Sequence, residues 1–165
     1  MDWKRLARHL WIGNPERTRL FPEASLKRIA AAIAEAEARH HGEIRFAVEA
    51  SLHAAEIARG VTARQKAVEA FARLGVWDTE ANNGILIYLL LADHDVEIVA
   101  DRGVHAKVGP EGWEAICRRM ESEFRAGRFE AGALAGIAEV GRHLETHFPR
   151  GAEDVNELPD APVML

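Results

Sequence analysis

The chain has 165 residues, 48% of them hydrophobic, a net charge of −5 at neutral pH and one cysteine. That length and apolar content describe about one domain, able to bury a core without metal or disulfide staples. The charge argues against a general nucleic-acid-binding surface, the lone Cys117 excludes an internal disulfide or a cysteine zinc site, and no apolar run approaches the ~20 residues of a membrane span.

Residues 1–20 read as a basic amphipathic arm. Trp3, Leu6, Leu10 and Trp11 fall on one side of a short helix, with Lys4, Arg5, Arg8 and His9 around the remainder. Such a segment lies on an anionic membrane, docks on a membrane-protein partner, or packs on its own domain. No signal-peptide pattern opens the chain, so the expected location is cytoplasmic, peripheral to a membrane where the arm engages one.

The body spans 21–148. Phe21-Pro22-Glu23 opens a helix that runs to about His41, with Leu26, Ile29, Ala30 and Ile33 as its apolar stripe. Gly42 stops it, and Ile44, Phe46 and Val48 then alternate with Arg45, Ala47 and Glu49 as a first strand. A helical crossover carrying Val61, Ala67, Val68, Phe71 and Leu74 ends at Gly75. The run Gly84–Leu91 is apolar on both faces, as a central strand requires. Asp93-His94-Asp95 supplies turn chemistry before a third strand, Val96–Ala100, so the two form an antiparallel hairpin. Pro110-Glu111-Gly112-Trp113 begins a helix with Ile116, Cys117, Met120 and Phe124 at helical spacing. Phe129 to Phe148 form a last helix, in which Gly132 and Gly136 suggest close approach to the sheet. The order α-β-α-β-β-α-α gives an α/β fold, an α/β/α sandwich with a small mixed sheet covered by helices. The tail, 149–165, is acidic, contains Pro159 and Pro162, and ends in Val163-Met164-Leu165. Those prolines favour an extended peptide suited to packing on its own domain, to partner docking or to self-association.

If the first crossover joins parallel neighbours, one sheet edge gathers the start of the first strand, the start of the second and the end of the third. Glu43, Asp78, Asn82, Asn83 and Asp101 then share a rim with the C-terminal end of the first helix, which delivers Glu37. A carboxylate beside that helix's apolar stripe needs a partner, which Arg45 or Arg102 supplies. Four carboxylates with two amides suit Ca²⁺ or Mg²⁺, with Glu43, Asp78 and Asp101 as the metal ligands. The same residues also have ordinary uses: Asp78 and Asn82 cap a turn, and Asp101 binds a loop N–H or Arg102.

Three ordered blocks, AEARHHGEIRFAVE, NNGILIYLLLADHDVEIVADRG and GWEAICRRMESEFRAGRFEAGALAGI, resemble the TPM domain family across roughly 21–148. The resemblance implies an α/β/α sandwich and, as the two functional expectations, either an interaction or regulatory module associated with a membrane-protein system, or a weak divalent-metal-dependent phosphoester hydrolase. It also implies that Glu37, Glu43, Asp78, Asn82 and Asp101 form the acidic edge. Asn82-Asn83-Gly84 stands where relatives more often carry an acidic residue before the glycine, and ADRGVHAKVG replaces a glycine-richer loop. In the hydrolase reading, Mg²⁺ or Ca²⁺ on Glu43, Asp78 and Asp101 polarises a phosphoryl oxygen. Arg102 then neutralises developing charge, and the helix starting at Pro110 presents N–H groups to the anion.

Overall fold

The computed structural model describes residues 2–151 and 155–165. Three strands follow the hydrophobic pattern closely: β1 (Glu43–Glu49), β2 (Gly84–Leu90) and β3 (Asp95–Ala100). β1 and β2 run parallel, with Glu43 opposite Gly84, and β2 and β3 are antiparallel, with Ile85 opposite Ala100. The hairpin turn is a 3-10 turn at Leu91–Asp93 closed by His94 in the left-handed region, φ 50°. A fourth strand, β4 (Val163–Met164), comes from the tail and lies parallel to β1, giving the sheet order β3-β2-β1-β4.

Because side chains alternate across a strand, the sheet divides its apolar residues between two cores. Ile44, Phe46 and Val48 of β1, Ile85, Ile87 and Leu89 of β2, and Val96 and Ile98 of β3 face one side. There they meet α3 (Glu23–Glu37), α7 (Pro110–Arg125) and α8 (Phe129–His147) through residues such as Ile33, Phe124 and Ile137. Ala47, Leu86, Tyr88, Leu90 and Val99 face the other side, against α4 (Ala54–Ala58) and α5 (Ala63–Arg73). The α/β/α sandwich is therefore present, with the fully buried β2 at its centre.

Several elements differ from the sequence reading. α3 ends at Glu37 instead of near His41, because the His40 backbone bridges to Pro149 and its Nδ1 accepts the Gly42 N–H at 3.1 Å. The stretch after β3 is not a loop but a helix, α6 (Arg102–Val108), with Asp101 as its N-cap. The arm folds as two helices, α1 (Trp3–Trp11) and α2 (Asn14–Leu20). Gly132 and Gly136 admit α7, not the sheet: a methyl group on Gly136 would strike Met120, and one on Gly132 would strike the Phe124 ring at 2.7 Å.

Gly84 has a different constraint, since a Cβ there would collide with the Val76 backbone carbonyl, which cannot rotate away as a side chain can. Gly84→Ala must displace the segment leading into β2 and is expected to cost about 1–3 kcal/mol. Chemical denaturation of the variant checks this, with a lower midpoint at an unchanged slope as the expected result.

Candidate functional site

The fold brings the anticipated segments to one rim. The Glu43 N–H donates to the Asn83 carbonyl at 3.3 Å and the Asp101 N–H to the Gly84 carbonyl at 2.9 Å. Glu43 and Asp101 thus stand at the same sheet edge, two strand spacings or about 10 Å apart. The segment between them is pinned: the Asn83 N–H donates to Thr79 Oγ1 (3.1 Å), its buried side-chain amide donates to the His41 carbonyl, and Gly103 sits against the Asn82 carbonyl. Asn82 itself is exposed and left-handed, φ 50°.

The side chains nevertheless divide into separate groups. Asp101, the N-cap of α6, accepts the Arg102 N–H on Oδ1 at 2.7 Å, while Arg102 is exposed on the first turn of α6. Asp78 is exposed in a turn closed by its N–H to the Gly75 carbonyl, 3.0 Å. The helix terminus nearest this side of the rim is that of α6, already capped by Asp101, so the N–H groups expected from the Pro110 helix are not the ones Asp101 borders. Among the described residues, no three carboxylate, imidazole or thiol groups stand close enough to share a metal ion. Glu43, Asp78 and Asp101, as arranged, do not fit a single Ca²⁺ or Mg²⁺ site.

Glu37 and Glu43 belong instead to a second group completed by the C-terminal tail. Glu43 Oε1 accepts the Glu157 N–H at 3.1 Å and Oε2 accepts the Leu158 N–H at 2.9 Å. Arg45, 7% exposed, donates to the Pro159 carbonyl and, at 3.5 Å, to that of Ala161. Glu37 Oε1 accepts the Ile44 N–H at 2.7 Å, tying the end of α3 to the start of β1. Its other oxygen is buried without an N–H donor, and the Asp160 carboxyl interacts with this side chain. A cavity of about 170 Å³ separates tail from rim, bordered by Glu37, Gly42, Glu43, Arg150, Asn156 and Asp160.

Burial dominates the titration of Glu37; the neighbouring Glu43 and Asp160 carboxyls add to it, the Ile44 N–H opposes it, and the net effect raises the side chain to about 9. A proton on Glu37 is what reconciles two facing carboxyls. Arg45 is held below its usual value by burial, opposed by Asp160 and Glu37. Of this group, Glu37, Glu43 and Arg45 were legible from position. Asp160 was not, since nothing in a proline-rich acidic tail specifies which carboxyl turns inward.

A larger cavity, about 470 Å³, lies between β3 and α7, with Arg64, Glu97, Trp113, Cys117 and Glu121 among its walls. Burial, aided by Glu97, pushes the Cys117 thiol up to about 12, which removes its nucleophilic character near neutral pH.

The Glu37 shift sets an expectation for stability. Its folded pKa exceeds the unfolded value, so the stabilisation is complete below about pH 4.5 and is lost as pH rises toward about 9. Asp95, raised to about 6, acts in the same direction but is exhausted above that value. Thermal melts between roughly pH 6.5 and 9 are therefore expected to show falling stability in the native chain and a flatter dependence in Glu37→Gln. Equal slopes in both proteins contradict the assignment.

The family model for the TPM domain matches residues 16–143. Among solved structures, the NMR structure of BA42 protein from the psychrophilic bacterium Bizionia argentinensis is 28% identical, with a TM-score of 0.76, covering 86% of this chain and 93% of that one. The solution NMR structure of the N-terminal domain of a P. gingivalis protein is 20% identical, with a TM-score of 0.64 over 81% of this chain and 83% of that chain, and supports the fold alone. A search of curated proteins returns no match. With the family model spanning most of its length and the same sandwich seen in these structures, the chain belongs to the TPM-domain family.

Proposed function

We propose that this TPM domain is an interaction module that docks on an anionic membrane surface through α1. The observation that carries this reading is the exposure of Trp3 (69%), Leu10 (72%) and Trp11 (89%) on one short helix. The sequence grouped Leu6 with them, but the helix divides differently. Leu6 turns inward onto the α5-side core, and of the basic residues His9 is buried and Arg5 half-buried, while Lys4 and Arg8 stay exposed.

Asp93 explains that orientation. Arg5 Nε donates to its Oδ2 at 2.9 Å, an Arg8 guanidinium nitrogen to its Oδ1 at 2.6 Å, and His9 Nε2 lies 3.1 Å from Oδ1. His9, 3% exposed, accepts the Leu52 N–H on Nδ1 at 2.9 Å, which places its ring proton on Nε2 facing Asp93. Burial alone would raise the Asp93 pKa, but bonds from His9, Arg5 and Arg8 outweigh it and hold the carboxyl well below the usual range. With Arg5 and His9 fixed inward on Asp93 and Arg8 reaching it from the exposed side of the helix, the tryptophans face solvent.

Exposed tryptophans carry a large apolar area with a polar N–H and partition to the membrane interface, and the exposed Lys4 beside them suits anionic headgroups. No helix among the described residues is long and apolar enough to cross a membrane. The geometry supports the phosphoester-hydrolase alternative less well, because both Glu43 oxygens hold tail N–H groups and Asp101 caps α6.

Co-sedimentation with phosphatidylcholine vesicles containing phosphatidylglycerol tests the proposal. The native chain is expected to bind with a blue shift in tryptophan emission, and Trp3→Ser/Trp11→Ser to bind at least about tenfold more weakly, since it removes most of the apolar contact. Binding that is absent, or unchanged in the variant, overturns it. In the same preparation, Mg²⁺- or Ca²⁺-supplemented protein is expected to leave a chromogenic phosphomonoester intact. Turnover that disappears in both Asp78→Ala and Asp101→Ala would instead establish the hydrolase reading.

A further inference from the structure

The outer edge of β1 holds an extended peptide. In the span matched by the TPM family model, which ends at residue 143, that edge has no neighbouring strand; Val163–Met164 supply a short one, and residues 157–161 reach the edge through Glu43 and Arg45. Their attachment uses chemistry suited to a ligand. Glu43 takes two consecutive backbone N–H groups, and Arg45 takes the carbonyls of residues 159 and 161. Val163 and Met164 pair with Ala47 and Val48, and the Leu165 N–H donates to the Val48 carbonyl at 2.9 Å. Arg17 holds the Leu165 oxygen. Most of these contacts read the backbone, so they require an extended chain more than a particular sequence.

Side chains then select. Leu158, Val163 and Leu165 rest on the α5-side core and Met164 on the α8-side core, while Asp160 meets Glu37. None of residues 155–165 joins the fully buried set: Leu158, Asp160 and 162–165 are only half-covered, and 155–157, 159 and 161 are exposed. Core strands β1 and β2 are, by contrast, buried almost throughout. A segment held chiefly by backbone hydrogen bonds and half-buried apolar contacts can leave without opening either core.

We propose that the β1 edge, with Glu43 and Arg45 as its main-chain clamps, is a peptide-docking groove in which residues 156–165 are the tethered occupant. The partner it fits is an extended protein segment with a Leu-Pro-Asp centre and, after a two-residue spacer, two or three apolar residues, entering parallel to β1 as the tail leaves. The contacts that hold the tail use Glu43, Arg45, Ala47, Val48 and Arg17 and not Trp3, Leu10 or Trp11, so the two readings stand or fall separately.

The test introduces a protease site between Gly151 and Val155 of the full chain and uses a fluorescein-labelled peptide of sequence 155–165 as probe. After cleavage and exchange, fluorescence anisotropy is expected to show saturable binding to the nicked protein, reversed by unlabelled peptide. Binding to the uncut chain should be at least about tenfold weaker, because a short tether keeps the tail at roughly millimolar effective concentration. Arg45→Ala in the nicked protein, and Asp160→Ala in the peptide, should each weaken binding about tenfold. Hydrogen exchange on the intact chain provides a readout that cleavage cannot disturb: the amides of Glu157, Leu158 and Leu165 should exchange far faster than those of β2. A folded nicked protein that ignores the probe overturns the proposal, as do loss of the cooperative melt on nicking and tail amides that exchange only by global unfolding.

Discussion

A sheet edge presents a row of backbone donors and acceptors that must be satisfied, and this small sheet has two such edges. On the β3 side the solution uses side chains: Glu121 accepts the Val96 N–H at 3.3 Å, and Arg64 donates to the Ile98 carbonyl at 2.8 Å. Those contacts draw α5 and α7 over the open strand and leave the larger cavity between them. On the β1 side the solution uses backbone, because the tail itself becomes β4. Most of what distinguishes the two sides follows from that difference, since side-chain capping closes an edge to strands whereas a short parallel strand shows that the other edge accepts one.

The acidic rim takes its character from the same constraint. Carboxylates gathered at the start of β1 look like ion ligands when only the sheet is considered. Once the tail is in place, Glu43 is a receptor for two peptide N–H groups and Glu37 a protonated partner of Asp160. Charge is thereby removed from the rim or tied to fixed dipoles, and less of it is available for a cation. Asp101 and Asp78, two strands away and in the adjoining turn, keep local roles in a helix cap and an exposed turn.

The sequence made much of this fold legible, for identifiable reasons. Alternation in Glu43–Glu49 and the doubly apolar run at Gly84–Leu90 each specify a strand by burial alone, and α7 and α8 are long enough for helical spacing to stand out. Short elements lack that redundancy. The seven residues of α6 follow an Asp that reads equally well as a ligand or a cap, and the two residues of β4 carry no period at all. Their conformations are set by the partner surface, which a linear pattern does not contain. Arg45 was the available hint, since a guanidinium in a strand covered on both faces must find acceptors, and its acceptors turned out to be tail carbonyls.

A similar argument accounts for α1. Amphipathic patterning says that a helix has two unlike faces but not which one the domain will cover, and the apolar face is the usual choice. Here Asp93, in the turn between β2 and β3, would be a half-buried carboxylate without its three partners, so turning Arg5 and His9 toward it removes a cost that covering the tryptophans would leave in place. The outward aromatic face is thus a consequence of where one carboxylate sits in a hairpin turn. That is why the hairpin and the exposed apolar surface, more than eighty positions apart in the chain, belong to one physical decision.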